Sequence, residues 1–226
     1  MICLCIGKPA VDRCKELLPD VELAEIRLDG SALSLDEIGQ IFSLPSKLIA
    51  TCRPNPGIRG EAERKNLLLS AIEAGAAYVD IEIEAEVDFK KEIMRAARLK
   101  GCRVILSYHN YENTPPKSKL EAVIARCFSE GADIAKIACQ VHSQPDNARI
   151  LSLYDIKINK KSNNQQIIAI GMGEKGKVTR VAAPLLGAPF TYAAPSPRSE
   201  TGPGQLDKET LARIYELLSG SVGSRQ

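Results

Sequence analysis

Eight short runs dense in aliphatic and β-branched residues recur along the chain, at residues 2–7, 21–29, 47–53, 78–84, 103–109, 133–139, 165–172 and 190–194, and each predicts a β-strand. Between them the apolar period changes. In 61–73, 89–100, 117–129 and 206–218 apolar residues recur at spacings of three and four, the stripe of an amphipathic helix. Gly75, Gly101 and Gly131 fall where such helices stop, since glycine takes the left-handed conformation that ends a helix at little cost. Strands alternating with helices imply a parallel α/β sheet, and eight such units close naturally into a (β/α)8 TIM barrel; an open doubly wound sheet is the alternative. No Ser/Gly/Pro-rich linker or low-complexity stretch divides the 226 residues, so a single domain over 1–226 is expected.

In a barrel of this kind the site forms at the C-terminal strand ends, which makes polar residues there informative. Strand two ends Glu25-Ile26-Arg27-Leu28-Asp29, whose period-two alternation puts Glu25, Arg27 and Asp29 on one face. Strand three ends in Arg53, strand four carries Asp80, Glu82 and Glu84 on one face, and strand five ends in His109. Lys136 interrupts the apolar run Ala132-Asp133-Ile134-Ala135-Lys136-Ile137-Ala138-Cys139. A desolvated lysine loses its proton more readily and then attacks carbonyl carbon, which suggests Schiff-base chemistry. Each residue also has a plainer reading. Glu25 with Arg27, or Arg27 with Glu82, would pair as buried ions, and Lys136 would pair with an acid on strand four. His109 would be a satisfied structural histidine, and His142, in Val141-His142-Ser143-Gln144, an exposed or helix-entry residue. Convergence of these groups on one end of one barrel favours a site.

Composition narrows the ligand. With 30 basic and 28 acidic residues the net charge is +2, which gives no electrostatic case for nucleic acid or an anionic membrane surface. No apolar run approaches the ~18 residues of a membrane span. A small-molecule partner is expected. Seven cysteines, an odd number without Cys-x-x-Cys spacing, and no targeting segment before Met1-Ile2-Cys3 point to a reducing, cytoplasmic compartment. Cys3 and Cys5 share a strand face, but two thiols without further ligands make a poor zinc site, and packing is the expected role. Gly171-Met172-Gly173-Glu174-Lys175-Gly176 matches G-x-G-x-x-G. It lies in the seventh βα unit, and the region about 20 residues on reads Ala193-Ala194-Pro195-Ser196, without the required acid, so a dinucleotide site is rejected. These glycines are expected instead to let backbone approach a ligand and to start the helix carrying Arg180.

Taken in order, the motifs resemble the type I 3-dehydroquinate dehydratases, the Schiff-base enzymes of the shikimate pathway. Glu25-Ile26-Arg27-Leu28-Asp29 resembles the family's E-x-R-x-D strand, Thr51-Cys52-Arg53 its third-strand arginine and Asp80-Ile81-Glu82 its D-x-E strand. Ser107-Tyr108-His109-Asn110-Tyr111-Glu112-Asn113-Thr114-Pro115 is similar to S-x-H-D-F-x-x-T-P, and 132–138 to the lysine strand A-D-I-x-K-I-A. Met172-Gly173, Gly176, Thr179-Arg180 and Thr201-Gly202-Pro203-Gly204-Gln205 complete the set.

The resemblance implies an imine between Lys136 and the C3 ketone of 3-dehydroquinate, His109 as general base at C2 and then as acid to the C1 hydroxyl, and Arg180 on the substrate carboxylate. Glu25, Arg27, Arg53, Thr201 and Gln205 would fix the ring and hydroxyls. It further implies a homodimer and no metal or organic cofactor. The chain also departs from the family. Gly57 stands where a glutamate supporting the histidine and lysine is expected, which leaves Glu61, Asp80 or Glu82 to orient His109. Leu4 replaces a first-strand serine, Asn110 replaces an aspartate, and no N-terminal hairpin is expected across the barrel floor. The polar loop 196–205 is expected to close over substrate and bring Gln205 into contact. Two further readings are a class I aldolase and a non-catalytic quinate or shikimate sensor; retention of both Lys136 and His109 argues against the sensor.

Overall fold

A computed structural model describes residues 1–30, 32–54, 60–156 and 165–219. In chain order it runs β1 (Ile2–Ile6), α1 (Val11–Leu17), β2 (Leu23–Arg27), α2 (Leu35–Phe42), β3 (Lys47–Thr51), α3 (Glu61–Glu73), β4 (Tyr78–Glu82), α4 (Val87–Lys100) and β5 (Arg103–Asn110). It continues with α5 (Lys117–Ser129), β6 (Ile134–Gln140), α6 (Gln144–Leu151), β7 (Gln166–Met172), α7 (Lys177–Leu185), β8 (Thr191–Ala194), β9 (Leu206–Asp207) and α8 (Lys208–Leu218). Every strand pairing is parallel, in the order β7-β6-β5-β4-β3-β2-β1-β8-β9, and the sheet curls into the expected (β/α)8 barrel.

The eight predicted strands all occur; six are shorter at one or both ends, β5 runs one residue further to Asn110, and β6 is shifted by one residue to Ile134–Gln140. The helices at 61–73 and 117–129 have the predicted bounds, and α4 begins two residues before the expected position 89. Gly75, Gly101 and Gly131 adopt φ of 107°, 70° and 95°, the left-handed conformation anticipated for helix ends. One assignment is corrected: Leu206 and Asp207, expected to open a helix, form β9 beside β8, and Asp207 caps α8 by accepting the Thr210 amide at 2.9 Å.

Strand alternation sorts the apolar residues into two layers. One face, including Leu4, Ile26, Ala50, Val79, Leu106 and Ile137, packs under the helices. The other, including Leu23, Ile49, Ile105, Ile134, Ile168 and Phe190, fills the barrel. Toward the floor, Phe190 meets Tyr78 edge to face at 6.0 Å, and the Arg103 guanidinium covers the Tyr78 ring at 5.5 Å while donating to Gln166 Oε1 at 3.0 Å. These side chains occupy the end where no hairpin was expected.

Candidate active site

The inward face of each strand turns polar above this apolar layer. Register places Arg27 beside Thr51, Thr51 beside Asp80, Glu82 beside Ser107 and Ser107 beside Lys136, so side chains separated widely in sequence share one level of the barrel. They form a ladder of alternating charge. Lys136 Nζ lies 2.8 Å from Asp80 Oδ2 and 3.8 Å from Glu25 Oε1. Asp80 also pairs with Arg53 Nη2 at 2.9 Å and accepts from Ser107 Oγ at 2.6 Å. Arg53 Nη1 reaches Glu82 Oε1 at 2.6 Å, and Glu82 Oε2 accepts from Arg64 Nη2 at 2.9 Å. Glu25 accepts from Thr51 Oγ1 at 3.0 Å.

Two expectations change. Lys136 is buried, at 5% exposure, but its surroundings are ionic rather than apolar: the pair with an acid on strand four is present, and it is Asp80. Arg27 pairs with neither Glu25 nor Glu82; it binds Asp29 through Nε at 3.0 Å and Nη2 at 2.7 Å. Glu25 is held instead by Thr51, and the cation it pairs with is Lys136, at 3.8 Å. Although Asp80 is buried, which by itself would raise its pKa, Arg53 and Lys136 hold its carboxyl well below the usual carboxylate range, so it is ionised. Glu84, expected on the same face, lies beyond the end of β4 and is exposed.

Across the cavity the balance differs. Arg180, on α7, is 3% exposed and donates from Nη2 to the Pro203 carbonyl at 3.0 Å, while its Nε is buried without a partner. Among the described residues no carboxylate pairs with it, and burial lowers its pKa from the ordinary arginine value. The glycine motif carries Arg180 into place by close packing. A Cβ on Gly176 would stand 2.6 Å from the Gly171 carbonyl carbon, and Thr179 Oγ1 ties the turn by accepting from Gly171 N at 2.6 Å. From the other side comes the loop after β8. Gln205 Oε1 accepts from Thr201 N at 2.9 Å and Thr201 Oγ1 at 3.2 Å, its Nε2 donates to Cys5 Sγ at 3.1 Å, and Arg27 Nη1 donates to the Thr201 carbonyl at 3.4 Å.

All eight sequence-predicted site residues, Glu25, Arg27, Arg53, His109, Lys136, Arg180, Thr201 and Gln205, line one cavity of about 110 Å³. His109 stacks on Tyr111 at 6.0 Å with 13° between the rings. Burial, followed by the charges of Arg53 and Lys136, holds its pKa well below 6.5, which leaves the imidazole neutral at neutral pH. The expected orienting acid is not found. Asp80 and Glu82 spend their oxygens on the cationic ladder and Ser107, Glu61 is exposed on α3, and among the described residues none of the three hydrogen-bonds His109. Gly57 lies outside the described residues. His142 is exposed at the entry to α6, with Nε2 2.6 Å from the Glu112 carbonyl and outside this cavity.

Sequence reading missed four contributors. Arg64 reaches in from α3, donating to the Cys52 carbonyl at 3.1 and 3.0 Å as well as to Glu82; as one arginine of an amphipathic helix it carries no distinguishing signal. Tyr111 lies within the matched histidine motif, where its place marks it only as an aromatic and gives no sign that it stacks on His109. Tyr192 reads as an ordinary aromatic in an apolar strand. Cys5, assigned to packing, also lines the cavity and holds Gln205.

Residues 2–222 match the model of the type I 3-dehydroquinase family. The 3-dehydroquinate dehydratase of Methanocaldococcus jannaschii is 34% identical over 96% of this chain and 99% of its own, and that of Pyrococcus abyssi is 35% identical over 93% of each. The crystal structure of 3-dehydroquinate dehydratase from Geobacillus kaustophilus superposes with a TM-score of 0.84, at 21% identity, over 98% of this chain and 92% of that one. By its motifs, its matched length and its relatives, the chain belongs to the type I 3-dehydroquinase family.

Proposed function

We propose that this family member is a hydro-lyase that converts 3-dehydroquinate to 3-dehydroshikimate by syn elimination through an imine on Lys136, with His109 as general base and then general acid. The observation that carries the reading is Arg180, a buried guanidinium with an unpaired Nε, facing the cavity that also holds Lys136 and His109. A buried cation lacking a counter-ion is costly, and a ligand carboxylate met by its planar fork supplies the missing charge.

His109, neutral at pH 7, takes the proton that the Lys136 ammonium must lose, and the amine then attacks the C3 carbonyl carbon. Loss of that proton does not orphan Asp80, which keeps Arg53 and Ser107. Once water has left and the iminium has formed, Asp80 and Glu25 flank its positive charge. The iminium withdraws electrons from C2, His109 removes the C2 proton, and the same imidazolium protonates the departing C1 hydroxyl. Hydrolysis of the product imine releases the lysine. Glu25, Arg27, Arg53, Thr201 and Gln205 surround the ring positions and fix its orientation.

The same reading places the enzyme in the cytoplasm as a homodimer. Seven free, buried cysteines support a reducing compartment, and exposed Leu185 and Leu186 at the end of α7, with Leu217 and Leu218 at the end of α8, support an apolar contact between copies. Incubation with 3-dehydroquinate and sodium borohydride, followed by intact mass, tests the chemistry. One ligand is expected to add covalently to wild type and none to Lys136→Ala. No adduct on wild type would exclude the imine and move the pocket to a sensor role, and turnover of a sugar phosphate without turnover of 3-dehydroquinate would favour an aldolase.

A further inference from the structure

Tyr192 on β8 and Phe190 just before it point into the barrel, and their rings meet edge to face at 5.4 Å and 77°. Phe190 is itself held edge-on by Tyr78, so the Tyr192 ring cannot swing aside without opening the floor of the barrel. Lys136 Nζ stands over that ring, 4.3 Å from its centroid. Tyr192 is 3% exposed and lines the cavity, yet its hydroxyl has no hydrogen-bond partner among the described residues. A buried hydroxyl left unpaired is costly, and phenylalanine would fill the same space without that cost. The phenol also keeps its proton. Burial, with Glu25 and Asp80 adding to it, pushes its pKa well above the ordinary tyrosine value. Next to Lys136 there is therefore a rigid, protonated donor with no acceptor among the described residues.

We propose that Tyr192 is a further substrate-contacting residue, its phenol donating a hydrogen bond to the ketone oxygen at the carbon that Lys136 attacks. This rests on the Schiff-base reading above. As the nitrogen lone pair forms the C–N bond, the carbonyl π pair moves onto oxygen, and the phenol stabilises that charge without giving up its proton. The oxygen then takes one proton from the attacking nitrogen and a second from His109, which holds the one shed earlier by the lysine. It departs as water when the C=N bond forms, leaving His109 neutral and the iminium protonated. A donor at this position also selects for a carbonyl ligand, because an analogue without that oxygen leaves the phenol unpaired.

The test is Tyr192→Phe, which removes the hydroxyl and keeps the ring. Rapid-quench borohydride trapping with 3-dehydroquinate, read by intact mass at successive times, gives the rate of imine formation for wild type and variant. We expect the adduct on both, formed on the order of 100- to 1,000-fold more slowly on the variant, given the usual cost of one lost donor to a developing oxyanion. The Tm of the ligand-free variant should equal or exceed that of wild type, because the removed hydroxyl had no partner in the fold. Equal trapping rates would overturn the assignment of Tyr192 alone. A slower rate accompanied by a clearly lower Tm would also overturn it, since the hydroxyl would then hold the structure rather than the ligand. No adduct on wild type would overturn the Schiff-base reading, and this proposal with it.

Discussion

Arg180 is the one guanidinium in the cavity that the barrel leaves without a carboxylate among the described residues, whereas Arg27 has Asp29 and Arg53 has both Asp80 and Glu82. Arg180→Met is therefore expected to separate function from stability. Two charge-assisted hydrogen bonds to a ligand carboxylate, at roughly 1.5–3 kcal/mol each, correspond to a fall in kcat/KM of at least about 100-fold. The Tm should hold or rise, because a buried unpaired charge is removed and the Pro203 carbonyl still accepts from Gly173 N. Steady-state kinetics and a thermal melt decide it; a large loss of Tm with kcat/KM preserved would make Arg180 structural. His109 gives a second prediction with a definite sign. Its folded pKa is depressed below 6.5, so the base form persists below that pH, and the acid limb of kcat/KM should lie below 6.5. The unfolded chain takes up a proton near pH 6.5 while folded His109 does not, so stability falls as pH drops from 6.5 toward the folded value, and above 6.5 the residue contributes no slope. An acid limb at or above pH 6.5 that disappears in His109→Gln would contradict the depressed value. Lys136, Glu25, Arg53 and His109 were legible in the sequence because a charge or an imidazole breaks an apolar strand rhythm. Tyr192 was not, since a tyrosine keeps that rhythm, and whether its hydroxyl finds a partner depends on residues from other strands.

Elements were legible where local periodicity decides them and illegible where a long-range pairing does. The strand of Lys136 and the helix α3 each announce themselves in one window of sequence, but β9 has two residues, Leu206 and Asp207, and exists only because Ala193 and Ala194 lie beside them. Arg64 was hidden for a related reason: helical spacing says which residues share a face, not that one of them reaches Glu82 on the neighbouring strand. The βα turn after β7 shows both sides at once. Its glycines were visible, and their purpose is steric, since Gly171 and Gly176 touch backbone to backbone. Gly176→Ala should therefore cost about 1–3 kcal/mol in a denaturant melt by overpacking this contact. It should also lower kcat/KM, because the turn that must widen begins the helix carrying Arg180. A melt within about 0.5 kcal/mol of wild type, the range of an ordinary surface change, would mean the turn relaxes without strain.

For the whole barrel, the consequential feature is where its ladder stops. Pairing is continuous from β7 through β6 and onward to β1, β8 and β9, and among the described residues β7 and β8 are not paired with each other. The loop 196–205 bridges that seam. Gly173 N donates to the Pro203 carbonyl at 3.0 Å, Arg180 Nη2 donates to the same oxygen, and Gly204, at φ 72°, packs so closely that a Cβ would collide with the Gly173 carbonyl. The proposed ligand contacts straddle the same line, with Arg180 on one side and Thr201 and Gln205 on the other. A ligand held by all three would join the two edges that backbone hydrogen bonds leave apart. Binding to the folded state alone stabilises it by roughly 2.7 kcal/mol at a ligand concentration of 100 Kd, but where that increment appears depends on how the site opens. If the loop opens locally to admit substrate, hydrogen exchange at the Gly173 and Gln205 amides reports that opening, and a bound ligand should slow it by about 10-fold or more. The amides of Ile49 and Leu106, deep in the continuous part of the ladder, should change little, because they exchange through larger openings. Protease cleavage within 196–205 should slow in parallel. Equal protection at all four amides, with unchanged cleavage, would mean that ligand enters without loop opening and that the seam is as firm as the strands around it.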